Sequence, residues 1–386
     1  MTPITCAIIG TAGLPARYGG FETLAENLAR QNREAPQPMD LTVYCPGRGG
    51  PQRYEGARLR YVPLPANGAF SVPYDIISML EAVRRGTDTI LLLGVSGALA
   101  LPLIRAVSRV RIVTNIDGLE WQRRKWGWLA RHVLRLSERA AIRWSHHIVA
   151  DNPAIARRVT FEFGRACHVI PYGSDHGVVL PIRNSPSPGP ALAIARIEPE
   201  NNVEMVLEAF AQMPERCLTF VGNWQASRYG RRLRARFAAC PNLDLQDAVY
   251  DPLALSRLRR RASVYIHGHS AGGTNPSLVE IMPYRIPVLA FATGSNWQTT
   301  EGRALYFTSC ASLCAQLEDL SEESAQQIGD DMAAIAERRY RWTDVAARYF
   351  SLLAASCRPA TTKITATRPS WRSASFRSKP LAVSEK

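Results

Sequence analysis

One pattern limits what this chain can become. Short apolar runs, each followed by a turn and a stretch with helical spacing, occur in series, and the series occurs twice. In the first, apolar runs fall at 5–9, 41–45, 58–62, 89–93, 111–116 and 146–150, with helical stretches at 21–34, 75–84 and 128–144. In the helix over 21–34, Phe21, Leu24, Ala25, Leu28 and Ala29 recur at helical spacing with charges between them. In the second, strands at 191–195, 218–221, 243–245, 263–267 and 287–291 alternate with helices at 203–212, 229–239, 253–261 and 276–283. Strands separated by helices build parallel sheets covered on both faces. The expectation is α/β, two doubly wound domains.

The 386 residues suffice for two domains at about 100–200 residues each. The first domain is expected over 1–175, a Gly-, Ser- and Pro-rich linker over 176–190, and the second domain over 191–335. A last helix is read over 333–355, its 336–356 portion packing back toward the first domain. The tail at 357–386, rich in Ser, Thr, Pro and basic residues, is expected to be disordered.

Forty-seven Lys and Arg against 33 Asp and Glu give a net charge of +14, which favours anionic partners. Eight scattered cysteines with no C-x-x-C pair argue against a zinc site or a disulfide framework and suit a reducing cytosol. The N-terminus lacks the basic and apolar regions of a secretory signal. The most apolar segment, 89–104, is short of the ~20 residues a membrane span needs.

Four loops concentrate chemistry. The stretch from Gly10 to Phe21 joins a strand to a helix N-terminus, and Gly19 and Gly20 clear the way for a diphosphate to approach the backbone. A plain tight turn is the competing reading. Asp117 and Glu120 follow the strand at 111–116, where ligand groups gather in open α/β sheets, although capping and solvation would also explain them. Arg196, after the first strand of the second domain, is placed to fork onto a phosphate or to pair with Glu198 or Glu200. The densest loop runs from His267 to Glu280. Its Gly272, Gly273 and Thr274 precede a helix starting near Asn275, with Ser277 and Glu280 in the first turns. His267 and His269 lack a third metal ligand in the sequence. Finally, Arg131, Arg135, Arg139 and Arg143 form a basic stripe on one helix, either a solvated face or a surface for an anionic membrane.

Taken together, GTAGLPARYGGFETLAE, NIDGLEWQRRKW, ADN at 150–152, ARIEPENN, HGHSAGGTNPSLVEIM and RYRWTDVAARYFSLL resemble the retaining family-4 glycosyltransferases of GT-B fold. The branch most similar includes bacterial β-1,4-rhamnosyltransferases of capsule and exopolysaccharide assembly. The resemblance spans roughly residues 4–355. It implies two Rossmann-like domains facing across a cleft, the first on the acceptor side and the second holding the donor nucleotide. It also implies sugar transfer from a nucleoside diphosphate sugar to a polyprenyl-diphosphate-linked acceptor, with retention, no metal and no cofactor. Location would be cytoplasmic, peripheral at the inner face of the cytoplasmic membrane.

Position by position, the resemblance puts Gly19 and Gly20 against the donor diphosphate, Arg196 on the phosphates and Glu280 on the ribose. Asn201, His269, Gly272, Gly273, Thr274, Asn275 and Ser277 complete the expected donor set, while Asp117 and Glu120 would orient the acceptor hydroxyl. Departures from the pattern are Ala12 in place of an arginine, Ile116 of a histidine, Asn201 of a lysine and Gly272 of a glutamate. A sugar-nucleotide epimerase of the same fold is one alternative. A nucleic-acid-binding protein, suggested by the arginine clusters at 231–236 and 257–261, is the other; the leading reading has no nucleic-acid partner.

Overall fold

The computed structural model describes residues 3–16, 19–116, 118, 121, 127–177, 180–181 and 188–357. The first domain has strands β1 (Thr5–Ile9), β2 (Asp40–Pro46), β3 (Arg53–Tyr54), β4 (Ala57–Val62), β5 (Thr89–Leu93), β6 (Arg111–Ile116), β7 (His147–Ala150) and β8 (His168–Val169). They form one sheet in the order β3-β4-β2-β1-β5-β6-β7-β8, with only the β3–β4 pair antiparallel. Its helices are α1 (Gly20–Glu34), α2 (Ser71–Arg84), α3 (Leu101–Val107), α4 (Trp128–Trp144) and α5 (Pro153–Phe163).

The second domain has strands β9 (Ala191–Ile194), β10 (Leu218–Gly222), β11 (Leu243–Asp247), β12 (Tyr265–His267), β13 (Val288–Phe291) and β14 (Leu305–Phe307). Its sheet is all parallel, in the order β11-β10-β9-β12-β13-β14. Helices α6 (Val203–Ala211), α7 (Arg228–Arg236), α8 (Pro252–Arg261), α9 (Pro276–Ile281), α10 (Gly294–Thr299), α11 (Cys310–Glu318), α12 (Glu322–Arg339) and α13 (Trp342–Cys357) complete the chain.

Burial explains the apolar runs. Every residue of β5 is buried because helices cover both faces of its sheet. Where an edge or a cap is involved, the signal is weaker. The two-residue strands β3 and β8, and α5, are not legible as apolar periodicity. Local chemistry starts and stops α5 instead: the Asn152 side chain accepts from Ala154 N–H, Pro153 opens the helix, and Gly164 ends it at φ 61°.

The expected single helix over 333–355 is two helices. The chain breaks at Tyr340, whose φ/ψ of −123°/36° is not helical and whose carbonyl accepts from Ser174 N–H at 2.6 Å. The cause is a change of partner. Helix α12 packs on the turn after α9 and on β13, whereas α13 packs on α1, β5 and β6 of the first domain. One straight helix could not present its apolar face to both. Of the three apolar cores, one covers the outer face of each sheet. The third runs from α1 and β1 through α13 into α9 and β13, crossing between the domains. Most of the linker interior and the tail from 358 onward lie outside the described residues.

Candidate active site

Strand order reverses beside β1 in the first sheet and beside β9 in the second. At such points the loops at the carboxyl ends of neighbouring strands diverge and leave a crevice. Here the loops after β1, β6 and β7 meet those after β9 and β12.

On the first wall, Gly10 turns the chain at φ +98°, and a Cβ there would lie 2.0 Å from the Leu93 carbonyl oxygen. Only glycine fits that turn. The following loop is tied to α1 by carboxylates: Ala12 N–H donates to Glu22 Oε1 at 2.6 Å, and Ala16 N–H to Glu26 Oε2 at 2.7 Å. Burial raises the Glu22 pKa, while the Ala12 N–H and the charge of Arg196 pull the other way. Arg196 therefore lies within electrostatic range of Glu22. Gly19 precedes α1 and brings no capping side chain of its own; the Glu22 carboxylate accepts from the backbone of Gly19 and of Glu22 itself at the start of this 15-residue helix. A Cβ on Gly20 would lie 3.0 Å from the Tyr172 hydroxyl and 3.2 Å from Pro276, which puts this loop against the start of α9.

On the second wall, the Arg196 side chain is 39% exposed, and its ion pair with Glu198 is loose at 3.7 Å. The Asn201 amide donates to the Arg196 carbonyl at 2.7 Å and is buried, so Asn201 shapes the turn. Ser270 N–H and Oγ–H both donate to the Glu200 carbonyl, at 2.9 and 2.7 Å, and lock this turn to the loop 268–275. His269 stacks on His267 with ring centroids 4.3 Å apart. His267 is fully buried with no partner on either ring nitrogen, and burial pushes its pKa down to about 3, so the ring is neutral.

The loop 272–275 also grips the first domain. A Cβ on Gly273 would lie 1.9 Å from Asp151 Oδ1, and a Cβ on Gly118 would lie 3.0 Å from Gly272 Cα. Thr274 Oγ–H donates to the Asp151 carbonyl at 2.6 Å. The Asn152 amide reaches Thr274 Oγ1, the Ser295 carbonyl and Thr299 Oγ1 at 3.2–3.3 Å. Asn275 caps α9, accepting from Ser277 N–H and Oγ–H.

The structure therefore brings Gly19, Gly20, Arg196, His269, Gly272, Gly273 and the start of α9 to one cleft. It commits Asn201, Thr274, Asn275 and Ser277 to holding the loops in shape. Glu280, expected to be open to a ribose, already has partners on both oxygens: Arg259 on Oε2 and His176 on Oε1, the latter at 3.3 Å. Burial opposes ionisation of Glu280, yet the Arg259 guanidinium and the His176 N–H hold its pKa down to about 2. Asp117 and Glu120 lie outside the described residues. Sequence reasoning missed Glu22, Asp151, Arg259 and His176. For Asp151 and Asn152 a signal existed, the word ADN, but not the partner 122 residues away.

Half of the eight arginines in the clusters that raised the nucleic-acid alternative are ion-paired. Arg232 and Arg236 bind Glu204, Arg236 also binds Glu208, Arg234 binds Asp247, and Arg259 is buried on Glu280. The stripe on α4 is different: Arg131, Arg135, Arg139 and Arg143 are all exposed, with Arg135 lying over the Trp121 ring at 4.8 Å. Among the described residues no helix is long and apolar enough to cross a membrane.

A family model described as "Domain of unknown function (DUF1972)" matches residues 4–175, which is the first domain up to the end of its sheet. No curated protein matches the sequence. Solved structures are similar over nearly the whole chain. Sucrose-phosphate synthase from Thermosynechococcus elongatus matches with a TM-score of 0.74 and 17% identity, covering 91% of this chain and 100% of that one. Anabaena HepE in complex with UDP-glucose matches with 0.67 and 15%, covering 91% and 99%. The catalytic domain of starch synthase IV from Arabidopsis thaliana, bound to ADP and acarbose, matches with 0.68 and 12%, covering 92% and 100%. The fold is the GT-B arrangement, two Rossmann-like domains facing across a cleft.

Proposed function

We propose that this protein is a glycosyltransferase that moves a sugar from a nucleoside diphosphate sugar to an acceptor hydroxyl. One observation carries the reading: a half-exposed, loosely paired arginine, Arg196, lies within electrostatic range of Glu22 in the first turn of α1, at the cleft where both sheets reverse their strand order. That is a setting for a diphosphate. The nucleotide and nucleotide sugar bound by starch synthase IV and HepE, which share the fold, support it.

In the reaction the bond from the sugar C1 to the diphosphate oxygen breaks and a bond from C1 to the acceptor oxygen forms. The acceptor proton passes to the departing diphosphate. Arg196 and the loop N–H groups would stabilise the charge that develops there by preorganised electrostatics. Helix α9, with six residues, adds little dipole; the longer α1 offers more. Asp117 and Glu120 would orient the acceptor. Retention, metal independence, a rhamnosyl donor and a polyprenyl-diphosphate-linked acceptor are the finer parts of this proposal, and they rest on the motif resemblance.

Peripheral attachment to an anionic membrane belongs to the same reading. In its support, the exposed arginines of α4 lie behind Trp128 and Leu129, which are 82% and 61% exposed at the start of that helix. At about 1 kcal/mol per basic residue near an anionic surface, changing Arg131, Arg135, Arg139 and Arg143 to Gln should abolish co-sedimentation with anionic vesicles at low salt. Equal sedimentation of the variant would reduce the stripe to a solvated face.

A panel of nucleoside diphosphate sugars, followed by release of nucleoside diphosphate with and without a polyprenyl-diphosphate-linked saccharide, tests the activity. Acceptor-dependent release with a lengthened saccharide is expected. An epimerised sugar nucleotide formed without acceptor would make the protein an epimerase.

A further inference from the structure

The partners of Glu280 form a chain that leads out of the nucleotide site. His176 lies in the 3-10 turn Asp175–Gly177 at the start of the linker. Its Nδ1 accepts from Trp342 Nε1–H at 2.8 Å, and its Nε2 faces Glu280 Oε1 at 3.3 Å. An indole N–H can only donate, so Nδ1 carries no proton and Nε2–H points at the carboxylate. Trp342 thus selects the tautomer that lets His176 donate to Glu280.

Trp342 also marks the junction of the two domains, because the chain crosses between them twice and both crossings meet there. Ser174 N–H and Oγ–H donate to the Tyr340 carbonyl, and Asp175 Oδ1 accepts from Trp342 N–H at 2.9 Å. A Cβ on Gly173 would lie 2.5 Å from the Trp342 ring. From the other side Arg259, 3% exposed, binds Glu280 Oε2. A Cβ on Gly177 would lie 2.6 Å from Arg259 Nη1, so the guanidinium lies directly under the linker. The linker is fixed to α8 as well: Tyr284 O–H donates to the Gly177 carbonyl at 2.7 Å, and its oxygen meets Ser256 Oγ at 2.8 Å.

We propose that His176 and Arg259 are positioning residues that aim the Glu280 carboxylate at the ribose of the donor, with Trp342 making that aim depend on the junction between the domains. The proposal rests on the nucleotide-sugar reading above. Each carboxylate oxygen accepts more than one hydrogen bond, so a Glu280 held by His176 and Arg259 still has lone pairs for ribose hydroxyls. Neither held partner touches the ligand in this account; both act through Glu280.

The test is calorimetric binding of ADP, UDP and GDP, each beside its 2′,3′-dideoxy form, to the full chain. The proteins are wild type, His176→Leu, His176→Gln and Trp342→Phe, each first shown to unfold cooperatively. Wild type should prefer the ribose form of its best nucleotide by ~10-fold or more. His176→Leu should cut that preference to under ~3-fold by weakening the ribose form alone. His176→Gln, whose amide N–H can still donate to Glu280, should keep most of the preference, and Trp342→Phe should fall between. A His176→Leu protein with full preference, or one that loses both forms equally, overturns the proposal, because a merely structural role moves both. Should His176→Leu fail to fold, full preference in Trp342→Phe overturns it instead. Wild type that binds nucleotides without ribose preference also overturns it and leaves the donor reading intact. Wild type that binds none of the nucleotides overturns the donor reading and this proposal with it.

Discussion

Each wall of the cleft carries a largely enclosed glutamate, Glu22 in the first turn of α1 and Glu280 in the last turn of α9, and the two are held in opposite ways. For Glu22 on α1 burial outweighs the backbone N–H groups of Ala12, Glu22 and Gly19 and the more distant charge of Arg196, so its pKa rises. Glu280 on α9 has Arg259 directly on one oxygen and His176 on the other, so pairing wins over burial and its pKa falls to about 2. The difference teaches which cation is committed. Arg259 is spent inside the second domain, whereas Arg196 keeps a half-exposed guanidinium and a loose partner. Arg196 is therefore a cation available to an incoming anion on that wall, within electrostatic range of a carboxylate that gives up its charge more easily than most.

The sharpest break of this comparison is Glu280→Gln. Removing one member of a buried pair leaves Arg259 uncompensated, and the folded state should lose about 3 kcal/mol. Adding Arg259→Met should recover most of that loss, because it removes the guanidinium charge that the first substitution left buried without a counter-ion. Urea unfolding of the two variants measures it; equal stability of wild type and Glu280→Gln would mean that the pair is not formed. The pH dependence has a definite sign. A carboxyl with a depressed folded pKa adds stability above its unfolded pKa, near 4.3, and that stability is lost as pH falls toward 2.

A smaller effect is expected where the walls touch. Gly273→Ala places a methyl group against Asp151 Oδ1 and Ile155, so the loop 272–275 must withdraw from the first domain. Transfer catalysed by the closed cleft should fall by ~10-fold in kcat/KM, about 1.4 kcal/mol, with stability little changed. Unchanged kinetics would show that this contact does not hold the loop for catalysis.

The smallest effect is at Glu22. Its folded pKa is raised, so at pH 7 ionised Glu22 is costly to bury, while below its unfolded pKa it is protonated in both states and contributes nothing. Glu22→Gln, which can still accept from Ala12, should therefore raise Tm at pH 7 and give no gain at pH 4. A gain at pH 4 that vanishes at pH 7 would reverse the assigned sign and place Glu22 in the same class as Glu280.

Much of this architecture is legible in the residues. The strands at β1, β5 and β6 are apolar runs because both faces of the sheet are covered, and that forces the alternation into view. The break between α12 and α13 is not legible, since apolar spacing continues through Tyr340 while the packing partner changes from one domain to the other. The positions of Arg196 and of the glycines at 19 and 20 in strand-to-helix loops are legible because such loops have their own chemistry, while their roles toward a ligand belong to the proposal. The partners of Glu280 are not: Arg259 lies 21 residues earlier on α8, and His176 more than a hundred residues earlier in the linker. No periodicity links residues on separate elements. Only the fold brings them together.

The central claim is that Arg196 receives the diphosphate of a donor in this cleft. Calorimetric titration of wild type and Arg196→Ala with ADP, UDP and GDP, and with the matching nucleosides, tests it most directly. A guanidinium on phosphate forms charge-assisted hydrogen bonds, so the variant should lose ~10-fold or more in affinity for the nucleoside diphosphate that binds best and little for its nucleoside. Equal losses for both, or no binding of any nucleoside diphosphate to wild type, would contradict the account.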